Sequence, residues 1–327
     1  MNVLVTGASG FLGVHLVKEL VEKNYPVKAL IRPSSRTNKL DKIPEISFFK
    51  GDLIDKKSLV GILKDIDILF HNASAVGEWG SYRYFKKNNV GGTKNLLELV
   101  LNSSVEKIIY TSTADIYRNS NKPLTEETSL HPRGNYHKTK IEAEKLLDIY
   151  ADKHGLNISK IRPPGILGPG NSYMAERIIR GVSQSEVTVI GSGNQIQSYV
   201  DVRDVATILR IAAEKNEAIG KTFNVTSSNA TVKDYWNTAA KIINKSITFR
   251  HYPYKIAYGF GAISEFIAKV TFRKETPKAT RFRVSYFGEN HIIDDSKAKK
   301  ILNFKPQFNF FTSMFDMLDD FLTNVNK

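Results

Sequence analysis

An α/β fold built on a doubly wound parallel sheet, with a smaller interleaved C-terminal lobe, is what this sequence predicts. Three observations carry it. A short apolar strand at residues 2–5 runs into Gly7, Gly10 and Gly13 and then into an amphipathic helix over 14–23. Strand and helix patterns alternate from residue 1 to about 163, and such alternation builds a parallel sheet with helices on both faces. Beyond residue 170 the alternation loosens, yet an apolar strand returns at 222–225.

The opening segment sets the first element. Gly7 permits a tight turn, Gly10 lets a pyrophosphate approach the backbone, and Gly13 lets helix and strand pack closely. The helix start offers free N–H donors and a positive dipole end to phosphates. A glycine triplet between one strand and one helix is a dinucleotide-binding signal. The second strand, 27–32, ends on Ile31 and Arg32, with Arg36 beyond. An acid at that end takes the ribose hydroxyls of NAD, whereas an arginine fork pairs a 2′-phosphate. Arg32 therefore favours NADP, and NAD stays open because Arg32 stacked on the adenine would serve either. Strands follow at 46–49 and 68–71, a helix at 84–101, a strand near 108–110 and a helix at 135–154. Later come a strand at 187–190, a helix from Asp201 to about residue 215, and the returning strand.

Tyr136 and Lys140 stand four residues apart in the last of the early helices, so both leave the same face. A free phenol titrates near pH 10, and a nearby ammonium lowers that value. The pair is a tunable proton donor or acceptor.

By these motifs the chain resembles the extended short-chain dehydrogenase/reductase family, over nearly its whole length. Its glycines are spaced G-x-x-G-x-x-G, and Asn89-Val90-Gly91-Gly92-Thr93 is similar to the family's N-V-x-G-T segment. Arg162-Pro163 through Gly168-Pro169-Gly170 is similar to its R-P-x-x-x-x-G-P-G segment. The resemblance implies a Rossmann fold, with residues 1–170 as the dinucleotide domain, 191–225 returning to it, and 171–190 plus 226–327 as the substrate lobe. It implies Thr113, Tyr136 and Lys140 as catalytic, with Thr113 preferred over Ser112 as the hydroxyl that holds the substrate oxygen. It implies that Gly7, Ser9, Gly10, Phe11, Leu12, Gly13, Arg32, Asp52, Leu53, Ala73, Asn89, Tyr136, Lys140, Pro163 and Ile166 meet the cofactor. Trp79, Thr113 and Tyr199 would meet the substrate.

Composition sets limits. The chain has 327 residues and no cysteine, which excludes disulfides and thiolate chemistry. Its seven histidines show no metal-ligand spacing, so no metal is expected. No apolar run reaches the ~18 residues of a spanning helix. With residue 2 already in a strand, the expectation is a cytoplasmic chain without a signal peptide. The formal charge is +14, but no recognition motif accompanies it, so nucleic acid is not an expected partner.

The substrate is read from departures. Nucleotide-sugar members carry an arginine–aspartate pair where this chain has Gln197 and Ser198, and a late arginine where it has residues 288–294, Gly-Glu-Asn-His-Ile-Ile-Asp. Arg118 stands at the glycine of their x-V-Y-G. The loop Ala75-Val76-Gly77-Glu78-Trp79-Gly80 is similar instead to that of 3β-hydroxysteroid dehydrogenases and 2-alkyl-3-oxoacid reductases, a branch that also takes in dihydroflavonol reductase-like enzymes. The apolar stretch 254–272 suits the walls of a site for a lipid-like or polycyclic small molecule, or a buried lobe helix. Hydride transfer between a secondary alcohol and a ketone is the expected reaction. Nucleotide-sugar epimerisation or 4,6-dehydration is the alternative, and a non-catalytic dinucleotide sensor is a third. The basic cluster Arg273, Lys274, Lys278, Arg281 and Arg283 beside that stretch allows a peripheral membrane contact through 254–283, or plain solvation. Helices 84–101 and 135–154 form the dimer interface in many relatives, so a homodimer is a fold-level expectation.

Overall fold

The computed structural model describes residues 1–118, 120–273, 275–277 and 279–325. Lys274 and Lys278 of the basic cluster lie outside the described residues.

Seven parallel strands form the central sheet in the order β10-β6-β5-β4-β1-β2-β3. They are β1 Val3–Thr6, β2 Val27–Ile31, β3 Ile46–Lys50, β4 Ile68–His71, β5 Lys107–Thr111, β6 Ile158–Arg162 and, after excursions into the second lobe, β10 Thr222–Asn224. β1, β4 and β6 are buried along their whole length because helices cover both faces, whereas the edge strand β3 is largely open. One face is covered by α1 Phe11–Glu22 and α6 Val202–Glu214; the other by α3 Gly92–Val100 and α4 Asn135–His154. The chain builds outward through β2 and β3, then returns to place β4 on the other side of β1. That reversal is a topological switch point, where ligands bind beyond the carboxyl ends of the strands.

The helix expected at 84–101 is interrupted. A turn α2, Tyr82–Phe85, leads into a π-helical segment, Lys86–Gly91, before α3. Asn89 sits inside the wide turn, and such π segments re-aim side chains. α4 runs as expected and ends at Gly155, whose φ of 69° is the left-handed cap that glycine favours.

The smaller lobe is built from β7 Gly165–Leu167, α5 Ser172–Ser183, β8 Glu186–Ile190, β9 Ile196–Asp201, β11 Ser228–Thr231, α7 Val232–Ile242, β12 Thr248–Tyr252, α8 Tyr254–Val270, α9 Arg281–Gly288 and α11 Phe310–Val325. β11, β9 and β7 make a three-stranded sheet, and β12 pairs with β8. Its core gathers α5, α7 and α11 around Tyr199 and Met314. Three elements lie apart from the expected boundaries. β7 and β9 join the small sheet, not the large one. α10, Ser296–Leu302, returns Ala298 and Leu302, with Phe304 after it, to the large core.

Candidate active site

The carboxyl ends of β1, β4 and β5 build the floor of the site. Gly7 has φ +68°, and a β-carbon there would stand 2.8 Å from the Ala73 backbone. A β-carbon at Gly13 would stand 2.0 Å from the Gly7 carbonyl. Neither position tolerates a side chain, so the first turn of α1 lies directly against the end of β1. No side chain caps that helix start and no acid stands in its first turn, which leaves its N–H groups and dipole for an anion. The cradle fits a dinucleotide pyrophosphate. Leu12 is buried and Ser9 and Phe11 are half-buried around it. Lys39 was not singled out in the sequence; its Nζ stands 3.3 Å from where a Gly170 β-carbon would be, with Phe11 3.6 Å from the same point. Arg32 is exposed at the end of β2, its backbone N–H bonded to Ser35 Oγ at 3.0 Å. Asp52 accepts from the Ile54 N–H at 3.2 Å, and Leu53 is buried, its carbonyl accepting from Asn95 at 2.8 Å.

Asn89 fastens the loop after β4. Its Oδ1 accepts from the Ala75 N–H at 2.7 Å and from Ser74 Oγ at 3.1 Å, while Nδ2 donates to the Ala75 carbonyl at 3.0 Å. Ala73 donates its N–H to Thr6 Oγ1 at 3.1 Å. His71 beneath them lies between Thr6 and Thr93 hydroxyls at 2.9 and 2.8 Å. Burial pushes its pKa down to about 3, with Lys140 adding to the effect, so it is a neutral structural hydrogen bonder.

Tyr136 occupies the first turn of α4. Burial pushes its phenol pKa up, the Asp115 carboxylate pushes it further, and a hydrogen-bonding contact from Ser74 opposes them. The lowering expected from Lys140 is absent from this arrangement. Lys140 Nζ donates to the Thr111 carbonyl at 2.7 Å and lies 4.1 Å above the Tyr110 ring. Burial brings its own pKa down to about 7, with Glu144 opposing. Thr113 caps the turn after β5, accepting from the Asp115 N–H at 3.2 Å. Asp115 thus neighbours Thr113 and acts electrostatically on Tyr136, while Ser112 is buried toward Glu144. Pro163 accepts from the Ala114 N–H at 2.8 Å, and Ile166 follows in β7.

Three further charged or titratable groups face this corner from separate segments. Burial raises Asp115 to about 6, against Arg133 and Thr113 which favour its charged form. Nε2 of His291 stands 3.7 Å from Asp115 Oδ1. Burial, with Arg133 beside it, lowers His291 to about 3 and keeps it neutral. Arg133 donates to the Tyr117 carbonyl at 3.3 Å. Asp115 follows Thr113 by two residues and His291 lies within the 288–294 departure segment, but nothing in local spacing marks either of them, or Arg133, as part of this corner.

A cleft of about 1430 Å³ opens beside the α4 start and reaches Gly134 and Asn135. Trp79 lines it, and its indole N–H donates to the Arg273 carbonyl at 3.0 Å. Glu78 pairs with Arg283 and, at 3.4 Å, with Arg177. These contacts bind the loop to the smaller lobe. Tyr199, expected at the substrate, is a packing residue: it is buried with its ring 5.6 Å from Tyr235 and 5.2 Å from Phe310. The stretch 254–272 supplies only part of the expected apolar wall. Tyr254, Tyr258, Ala268 and Phe272 line the cleft, whereas Ile256, Phe260, Ile263, Phe266, Ile267 and Val270 face outward. Gln197 and Ser198 are buried in neutral hydrogen bonds, Gln197 Nε2 to the Glu289 carbonyl at 2.7 Å and Ser198 Oγ to Asn229 at 2.6 Å.

Behind the site lies a buried ion pair. Arg162 donates from Nε to Glu144 at 2.9 Å and from Nη1 to the Tyr117 hydroxyl at 2.8 Å, which donates onward to Asn224 at 2.7 Å. The network clamps β6 to α4 one turn beyond Lys140. Among the described residues no cluster of histidine and acidic side chains could hold a metal, and no helix is long and apolar enough to cross a membrane.

The sterol-4-alpha-carboxylate 3-dehydrogenase, decarboxylating, of Candida albicans is 32% identical, covering 97% of this chain and 97% of its own. The 2-alkyl-3-oxoalkanoate reductase of Stenotrophomonas maltophilia is 27% identical over 94% of this chain and 95% of its own. The crystal structure of gox2253 superimposes with a TM-score of 0.84 at 25% identity, covering 98% of each chain. Residues 3–226 match the model of one family. By that match and by its glycine cradle, this chain belongs to the NAD dependent epimerase/dehydratase family.

Proposed function

We propose that this chain is an NADP-dependent oxidoreductase that interconverts a secondary alcohol and a ketone on a hydrophobic, steroid-like or oxoacid-like substrate. The observation that carries this reading is the neutral packing of Gln197, Ser198 and His291. Each is at most 1% exposed, and none supplies a cation for a diphosphate. A desolvated charge without a partner costs several kcal/mol, which disfavours a nucleotide-sugar substrate. The names of the two relatives, a sterol-carboxylate dehydrogenase and an oxoalkanoate reductase, point the same way.

The start of α1 and Lys39 would hold the pyrophosphate, Arg32 the 2′-phosphate, and Asp52 with Leu53 the adenine end. Ala73, Asn89, Pro163 and Ile166 would line the nicotinamide half. When bound, the nicotinamide supplies or takes the hydride. Tyr136 gives a proton to the ketone oxygen in reduction and takes it from the alcohol in oxidation. Its raised pKa keeps the phenol protonated, which suits donation. The Thr113 hydroxyl shares the oxygen where negative charge develops. Lys140 positions the end of β5 through the Thr111 carbonyl and reaches the ribose. Trp79 would wall the substrate side of the cleft.

Calorimetry tests the substrate class. A hydrophobic 3-oxo acid or 3-hydroxysteroid should bind more tightly than UDP or dTDP. Micromolar UDP- or dTDP-sugar binding without binding of apolar ketones would move the assignment to epimerisation or dehydration.

A further inference from the structure

We propose that α8 is a docking face for an anionic membrane surface. This goes beyond the oxidoreductase reading and does not rest on it. Ile256, Phe260, Ile263, Phe266, Ile267 and Val270 recur at helical spacing on one face. All are exposed, Phe266 by 67%, and Phe272 just past the helix end by 90%. No charged residue interrupts this stripe. The rotation of the helix is fixed from its other side. Gly261 and Ala268 are buried there, and a β-carbon at Gly261 would stand 3.1 Å from the Arg281 nitrogen. Glu265 on that side pairs with Arg281 at 2.8 Å. The apolar face therefore cannot turn inward without unpacking α8 from α9.

Charge selects the occupant. Residues 254–283 hold seven basic side chains against two acidic ones. Lys255 and Lys269 border one edge of the stripe and are exposed. An apolar face rimmed by lysines suits the plane of an anionic bilayer, where the apolar side chains enter the acyl boundary and the ammonium groups meet headgroups. A second copy packed face to face would bring the same lysines together. Ala268, Lys269 and Phe272 also line the cleft, so a bilayer under α8 would lie at its mouth.

The test is co-sedimentation of the full chain with vesicles of phosphatidylcholine, alone and with phosphatidylglycerol added. Binding is expected to the anionic vesicles and should weaken as salt is raised. Phe260→Ser with Phe266→Ser, both outside the cleft, should lower vesicle affinity at least about tenfold, with melting temperature and cofactor binding unchanged. Absence of wild-type binding to either vesicle would overturn the proposal, and so would equal binding by the double variant. A solution dimer that the double variant dissolves would also overturn it and make α8 a protein interface.

Discussion

Lys140 donates its ammonium proton to the Thr111 carbonyl at 2.7 Å, so the cation that follows Tyr136 by one helical turn holds the end of β5. The phenol is instead governed by burial and by Asp115. On the proposed function the two members of the pair would have separable duties, proton transfer for Tyr136 and positioning for Lys140.

Tyr136→Phe should lower kcat on the order of 10²–10⁴-fold, the range for loss of a general acid–base group, with cofactor Kd nearly unchanged. Lys140→Met should lower kcat and also raise cofactor Kd about tenfold or more. Steady-state kinetics with fluorescence titration of the cofactor separates them. Near-full activity of Tyr136→Phe would refute the assignment.

Arg32→Ala should raise the Kd for NADPH roughly tenfold or more, as loss of a charge-assisted hydrogen bond implies, and leave NADH nearly unaffected. Equal losses for both would mean that Arg32 does not read the 2′-phosphate.

Glu144→Gln should destabilise the fold by about 3–5 kcal/mol, because it leaves the buried Arg162 guanidinium without its counter-charge. Urea unfolding measures this. A change under about 1 kcal/mol would mean the network with Tyr117 and Asn224 suffices without the charge.

Stability should fall as pH drops from about 7.5 to about 5. His71, His137 and His291 are held near 3, below their ordinary 6.5. The unfolded chain takes up those protons first, so stability present above 6.5 is lost as pH falls toward 3, about 2 kcal/mol per histidine at about pH 5. Asp115, raised from 3.8 to about 6, acts oppositely: it is destabilising above about 6 and relieved as pH falls. It returns only about 1 kcal/mol at about pH 5, so the histidines prevail. Urea midpoints at the two pH values check the sign; a level or rising midpoint in acid would contradict it.

The parts of this molecule set by local geometry were legible in the sequence. Gly7 and Gly13 sit where a β-carbon meets backbone, and a helix that places Tyr136 and Lys140 on one face follows from their spacing alone. What was not legible depends on segments far apart in the chain. Asp115, Arg133 and His291 converge from a loop, a helix approach and a late strand-like segment, and no periodicity announces that meeting. The pattern of α8 shows which face is apolar but not whether another element covers it, so residues expected to wall the cleft stand outside it. Tyr199, adjacent to the Gln197 and Ser198 departures, was read with the site, yet its ring stacks into the lobe core against Tyr235.

The central claim is net hydride transfer to and from a hydrophobic alcohol or ketone with Tyr136 as the acid–base group. The most direct measurement is nicotinamide absorbance during turnover of a panel of hydrophobic 3-hydroxy acids, hydroxysteroids and nucleotide sugars. Stoichiometric reduction of NADP is expected with a member of the first two groups and the wild type, and none with Tyr136→Phe. Conversion of a nucleotide sugar without net change in nicotinamide, alongside inertness toward every apolar alcohol, would contradict it.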